Sequence, residues 1–350
     1  MRHAVIIVGA GLAGVALAHA LHTAGHKPCV LEARPRWGGR ILGMDGFDLG
    51  PSWVWPTLQP RLAAWISAHG LSCYEQYSAG ALQFEDAGGR IHTHAAGIAQ
   101  APPSQRLAGG SESLLAPAPA LQRTGMIITG HAVRALHLQN DGVEVITDTA
   151  AGAQRWRGQH VVLTLPPRLI AALEFMPALP ATVHAQLTAI PTWMAGQTKV
   201  LVQYAAPFWR TEGYSGAAFS QRGPIGELHD ATLPDGRAAL TGFLAGPAMQ
   251  RAAPTDLRRE VVAQLHNLFG APAKRPLAVH VQDWAAEPFT ATPADRTVPR
   301  GHPHYAPFKL PEPWHQRVLL AGSEVAPEFG GYLEGALQAA AGAAAALMAT

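Results

Sequence analysis

The chain opens with a continuous apolar run, Ala4 to Val8, which predicts a strand buried on both faces of a parallel sheet. Gly9, Gly11 and Gly14 follow. An apolar helix is expected from Val15 to Ala24, ended by Gly25, and a second strand from Pro28 to Leu31 with Glu32 at its end. Farther on, Arg61 to His69 has the spacing of an amphipathic helix, and Ala81 to His94 that of a hairpin folded about Asp86-Ala-Gly-Gly. Ile127 to Leu138 and Gly142 to Thr147 read as strands, and Val161 to Leu165 as a buried strand stopped by Pro166 and Pro167. Lys199 begins another apolar strand. Near the end, Arg317 onward gives a strand, a glycine-bearing turn and a loop, and Ala336 to Ala349 is a strong helix former by propensity.

The glycines after the first strand have G-x-G-x-x-G spacing. The first permits a tight turn, the second lets backbone approach a pyrophosphate, and the third lets the next helix pack close to the strand. That helix points its N-terminus at the anion. The spacing alone also fits a plain strand-to-helix turn, but Glu32 lies about 20 residues on, where a carboxylate accepts hydrogen bonds from a ribose hydroxyl. A second glycine turn, Gly38-Gly39-Arg40, has Arg34 and Arg36 just upstream, bringing three guanidiniums toward the same phosphates.

Composition narrows the class. Hydrophobic residues make up 48% of 350 residues and charged ones only 14%, enough for a large core in two domains or one large domain with an insertion. A net charge of +2 without a Lys/Arg run leaves no footprint for nucleic acid. Cys29 and Cys73 form neither a metal spacing nor a disulfide framework, and the 17 histidines are scattered, so no metal is expected. The first strand begins by residue 4, leaving no room for a signal peptide, and no membrane-spanning run is recognised; a soluble, cytoplasmic protein is expected.

The run Glu32 to Arg40, E-x-R-x-R-x-G-G-R, resembles the FAD-binding segment of the flavin amine oxidase superfamily. Asp48, Gly50 and Trp53 are similar to the D-x-G-x-x-W stretch that passes beside the flavin there. Gly109-Gly110-Ser-Glu-Ser-Leu resembles the element that returns the chain to the cofactor domain. Val133 sits where the family packs an aliphatic residue against adenine, with a plain core valine as the other reading. Gly196 to Trp209 resembles K-V-x-x-x-x-x-x-P-F-W, whose lysine, here Lys199, holds a water against flavin N5; a strand-end lysine reaching solvent is the bland alternative. Trp284 is similar to the tryptophan along the isoalloxazine. Gly322-Ser323-Glu324 and Gly331-Tyr332-Leu333-Glu334-Gly335-Ala336 resemble the closing F-A-G-S-E and G-Y-x-E-G-A segments: Gly322, Ser323 and Glu324 toward ribityl and phosphate, Leu333 N–H toward flavin O2, and Tyr332 before the reactive face. The family's second cage tyrosine has Ala294 at its position by counting, and no cysteine falls where covalent members attach their flavin.

The resemblance implies an α/β, two-domain flavoprotein: a discontinuous Rossmann-like FAD domain from residues 1–77, 107–179 and 289–350, and a smaller sheet-based substrate domain from 78–106 and 180–288. It implies non-covalent FAD and a small amine as substrate, oxidised at its C–N bond by hydride transfer to N5. Imine hydrolysis follows, and O2 reoxidises the flavin to give H2O2. Lys199, Tyr332 and Trp284 are the catalytic candidates. Gly9, Gly11, Gly14, Glu32, Arg34, Arg36, Gly38, Gly39, Arg40, Trp53, Val133, Gly322, Ser323, Glu324, Gly331 and Leu333 are the cofactor-binding candidates. A renalase-like oxidase of reduced nicotinamide isomers, a desaturase or protoporphyrinogen oxidase-like enzyme, and a flavin-binding partner protein without turnover are the alternatives. The identity of the amine, the electron acceptor and the oligomeric state are not written in the sequence.

Overall fold

The computed structural model describes residues 2–95, 101–246, 254–297 and 301–349. Parts of the expected segments at 96–100, 247–253 and 298–300 lie outside them.

Two large sheets carry the chain. In the first, Arg2–Val8 runs parallel to Cys29–Leu31 on one side and to the end of Gly152–Leu163 on the other; Ile127–Ile128 and Val318–Leu320 extend this parallel core in either direction. Ile6, Ile7, Val30, Val161 and Val162 are fully buried, as strands covered on both faces require. The helices Leu12–Thr23 and Leu333–Met348 cover one face, meeting through Ala13, Ala16, Leu17, Ala336 and Ala340. Small side chains let two helices share that face, so the Ala-rich tail packs onto the first sheet. The other face is closed by Trp156, Phe175 and Trp314.

The expected strand from Ile127 to Leu138 is divided. Ile127–Ile128 pairs with Val30 and Leu31, Gly130 turns the chain at φ 73°, and Ala132–Gln139 joins an antiparallel meander with Gly142–Thr149. The break is fixed by backbone: the N–H groups of Gly130 and His131 donate to the carbonyls of Arg34 and Glu32.

The second sheet has the order Ala278–Asp283, Thr198–Tyr204, Ala238–Leu244, Ile225–Asp230, Tyr214–Ser220, Ala81–Glu85 and Ile91–His94. The last two form the expected hairpin. One face packs on helix Pro254–Phe269 through Val261 and Leu265. Between its third and fourth strands the register shifts: Ile225 opposes Leu244, yet Glu227 opposes Phe243, so a bulge at Gly226 changes which face Glu227 occupies.

Buried ion pairs tie distant segments together. Arg40 donates from Nη1 to Glu324 Oε1 (2.6 Å) and from Nη2 to Glu324 Oε2 (3.1 Å) and Ser323 Oγ (2.9 Å). Burial pulls the Arg40 guanidinium down, and Glu324 more than offsets this, holding it above its ordinary value. Asp48 accepts from Ser111 N and Oγ, linking the loop after the second glycine turn to the Gly109-Gly110 element. Glu334 accepts from the N–H groups of Arg61 and Leu62, capping helix Pro60–Ala68. Because Glu324 is wholly buried, Arg40→Met is expected to lower unfolding stability by about 3–5 kcal/mol by stranding a carboxylate. Adding Glu324→Gln should recover part of that loss, and equal losses in the single and double variants would show the pair to be uncoupled in a denaturant titration.

Candidate functional site

Between the sheets lies a cavity of about 790 Å3, within the size range of ligand sites, about 300–1,000 Å3. Its first wall is made of glycine turns. Gly9 has φ 102°, and a Cβ on Gly14 would stand 1.9 Å from Gly9 O, so the helix meets the strand only because Gly14 has no side chain. The second turn is laced to the first: Gly38 N donates to Ala10 O at 2.7 Å, and a Cβ on Gly39 would lie 3.1 Å from Gly11 Cα. Helix Leu12–Thr23 begins at Gly11 with no side-chain cap and no acid in its first turn, so its positive end is uncompensated toward the cavity. Helix Leu333–Met348 also lacks a side-chain cap, its first-turn Glu334 being spent on another helix, and Leu333 lines the same cavity.

Glu32 receives N–H donors from Ala10 (2.8 Å) and Arg34 (3.0 Å), which fix its carboxylate at the end of the second strand. Val133, Arg134 and Asp148 line the cavity beyond it.

At the other end stand Lys199, Trp284 and Tyr332. Lys199 is 1% exposed, which excludes the solvent-reaching reading. Its Nζ donates to Gly50 O at 2.6 Å and Ser52 Oγ at 2.5 Å, and lies 5.8 Å from the Trp53 ring and 5.9 Å from that of Phe243. Burial lowers its pKa to about 7, with Asp48 pulling it up and Arg106 pushing it down. Two of three ammonium donors are thus used on neutral oxygens. Trp284 is anchored by Nε1–H to Leu49 O (3.0 Å). Tyr332 is stacked on His302 (5.0 Å, 17°), with the Trp193 ring 6.3 Å away; burial raises its phenol pKa.

Most of the expected residues meet here: Gly9, Gly11, Glu32, Arg34, Gly38, Gly39, Arg40, Trp53, Val133, Lys199, Trp284, Ser323, Gly331, Tyr332 and Leu333 all line the cavity. Gly14, Arg36, Gly322 and Glu324 are not among its lining residues. Arg36 donates to the carbonyls of Trp37, Gly39 and Ile41 and so shapes the second turn from behind. Glu324 is consumed by Arg40, and Gly322 passes Leu165 O, which a Cβ would approach to 2.7 Å. Arg34, expected near phosphate, is held by Glu287 and Thr290. Ala294 lies in the short turn Pro293–Arg296, whose Asp295 pairs with Arg168, while Trp193, His302 and Phe329 place rings beside Tyr332.

Sequence reasoning missed Trp193, Phe243 and Glu227, which also line the cavity. Phe243 was legible as the cross-strand neighbour of Lys199 once the pairing was known; Trp193 and Glu227 carry no local signal.

Comparison with known proteins accords with this geometry. The family described as flavin containing amine oxidoreductase matches residues 98–348, and the NAD(P)-binding Rossmann-like domain matches residues 7–68. The chain is 31% identical over 242 residues to a protein of Mycobacterium tuberculosis named flavin-containing monoamine oxidase AofH, covering 69% of this chain and 51% of that one. It is 30% identical over 210 residues to flavin-containing amine oxidase B of Canis lupus familiaris, covering 58% and 40% respectively. The chain thus spans about half the length of the relatives it matches. Its fold matches putrescine oxidase bound to putrescine with a TM-score of 0.80 at 21% identity over 100% of both chains. Cyclohexylamine oxidase from Brevibacterium oxydans matches with 0.80 at 20% identity, covering 99% of this chain and 98% of that one. A family match extending over most of the chain, joined to paired glycine turns at the mouth of one shared cavity, establishes that the chain belongs to the flavin-containing amine oxidoreductase family.

Proposed function

We propose that the chain is an FAD-dependent oxidase of a small amine. The observation that carries this reading is one cavity whose wall joins two uncapped helix N-termini to the buried Lys199 and Trp284 and the half-buried Tyr332. Residues 1–77, 107–179 and 289–350 would form the cofactor-binding part and 78–106 and 180–288 the substrate part. The two sheets support that division, the second drawing its strands only from Ala81–His94 and Thr198–Asp283.

The residues fit FAD. The N–H groups around Gly11 suit a pyrophosphate, Glu32 a ribose, Val133 the adenine, and the N-terminus of Leu333–Met348 an electron-rich ring edge. Bound there, FAD would supply two-electron chemistry, taking a hydride from the carbon bearing nitrogen. No cysteine is among the cavity-lining residues, and Cys29 is buried with its thiol pushed up to about 12, which supports non-covalent binding. In the overall balance, amine, O2 and water give carbonyl compound, ammonia and H2O2; the amine loses two electrons and O2 gains them.

The protein's part is to orient the amine and to manage protons. Tyr332 and Trp193 present flat apolar surfaces at the reacting end, and desolvation there favours the neutral amine. Lys199 Nζ keeps one donor beyond those to Gly50 O and Ser52 Oγ, which would hold a water at the cavity wall, and with a pKa of about 7 it can pass a proton to reduced oxygen and recover it.

Mixing the purified protein anaerobically with primary, secondary and polyamines should bleach its visible flavin band with at least one of them. Bleaching by reduced nicotinamides alone would overturn the amine reading. Lys199→Met should slow reoxidation by O2 by roughly two orders of magnitude while changing anaerobic reduction far less, read by stopped-flow absorbance. The low value of Lys199 has a second consequence. Between about 7 and the ordinary 10.5 the unfolded chain holds the proton that the folded chain has lost, so this group makes the fold more stable as pH rises through that window. Lys199→Met should remove that component from the slope of unfolding free energy against pH.

A further inference from the structure

The row of side chains crossing the second sheet from Lys199 ends on a carboxylate that the reading above does not use. Lys199 pairs with Phe243 and Phe243 with Glu227, so the three are neighbours on three adjacent strands, and all line the cavity. Glu227 reaches that face through the bulge. Without the shift at Gly226, strict alternation from the buried Ile225 would turn residue 227 into the core against helix Pro254–Phe269; with it, Glu227 faces the cavity and Leu228 returns to the core.

Glu227 presents a half-exposed carboxylate to the cavity. His229 Nε2 lies 2.7 Å from Oε1 and holds the carboxylate in place, and His229 packs edge-on against Trp53 at 5.1 Å. Oε2 receives no hydrogen bond from a described residue. Trp53 and Phe243, 6.1 Å apart, form an apolar stretch between this carboxylate and Lys199. The other carboxylates lining the cavity are engaged elsewhere: Glu32 by two backbone N–H groups and Asp148 by Arg134.

We propose that Glu227 is a specificity-determining residue that binds the distal ammonium of an aliphatic diamine or polyamine, whose near amine is oxidised at the Lys199 end. This rests on the amine oxidase reading. Two strand spacings of about 4.8 Å separate the Glu227 and Lys199 backbones, so the substrate spans roughly four to eight carbons between its nitrogens. Its methylenes lie along Trp53 and Phe243, and its charged end meets the half-exposed Glu227 carboxylate.

The test compares α,ω-diaminoalkanes with 1-aminoalkanes of the same length on the FAD-loaded protein and on Glu227→Gln. The wild type is expected to show a KM for the diamine at least about tenfold below that of its monoamine partner, rising with salt as a charge contact does. In Glu227→Gln the diamine KM should rise about tenfold or more and lose its salt dependence, with kcat and all monoamine constants unchanged. Turnover of monoamines by the variant certifies that it is folded. Equal KM values for diamine and monoamine in the wild type, or a Glu227→Gln change shared by both series, would overturn the assignment while leaving amine oxidation standing. Absence of turnover with every amine would instead remove the function on which it rests.

Discussion

At the centre of the molecule, two glycine turns from different parts of the first 40 residues touch backbone to backbone. Gly39 approaches Gly11 so closely that a Cβ on Gly39 would stand 3.1 Å from Gly11 Cα, and Gly14 leaves 1.9 Å between Gly9 O and the place its own Cβ would occupy. These approaches bring the first helix down onto the parallel sheet and leave its positive N-terminus open to the cavity. The loop before the last helix is tied to this contact. Arg40, immediately after the second turn, is locked to Glu324, and Glu324 sits on the loop that leads to Tyr332 and Leu333.

The same economy explains why several charged residues near the site are structural. Arg36, Glu324, Glu334 and Asp48 each satisfy backbone groups or buried partners behind the cavity wall. A wall of bare backbone amides requires such support, because the groups that face the cavity cannot also hold the wall in place. Lys199 differs from Arg40, whose guanidinium is met by a carboxylate. Its direct partners are neutral oxygens and aromatic faces, so burial acts on it with little compensation and brings its proton affinity into the neutral range.

Much of this was legible in the sequence, because it depends on local rules. The strand, glycine turn and helix at Ala4 to Ala24 follow from apolar runs and glycine spacing, and the buried strand starting at Lys199 follows from its composition. What was not legible depends on pairing between distant strands. The break at Gly130 is set by hydrogen bonds to Glu32 and Arg34 carbonyls, and the turning of Glu227 into the cavity is set by a one-residue register shift against Ala238–Leu244. Trp193 and His302 stand beside Tyr332 although they lie far apart in sequence, a placement that counting from a family motif to Ala294 misses.

The most direct test of the account is whether the cradle holds the cofactor it is shaped for, and holds it without a covalent bond. Purified protein would be denatured by acid, its supernatant separated from the precipitate, and the flavin in each identified by chromatography. The account predicts FAD, near one equivalent per chain, in the supernatant. Protein that carries no flavin and takes up none when FAD is added, or flavin that stays with the precipitated chain, would contradict it.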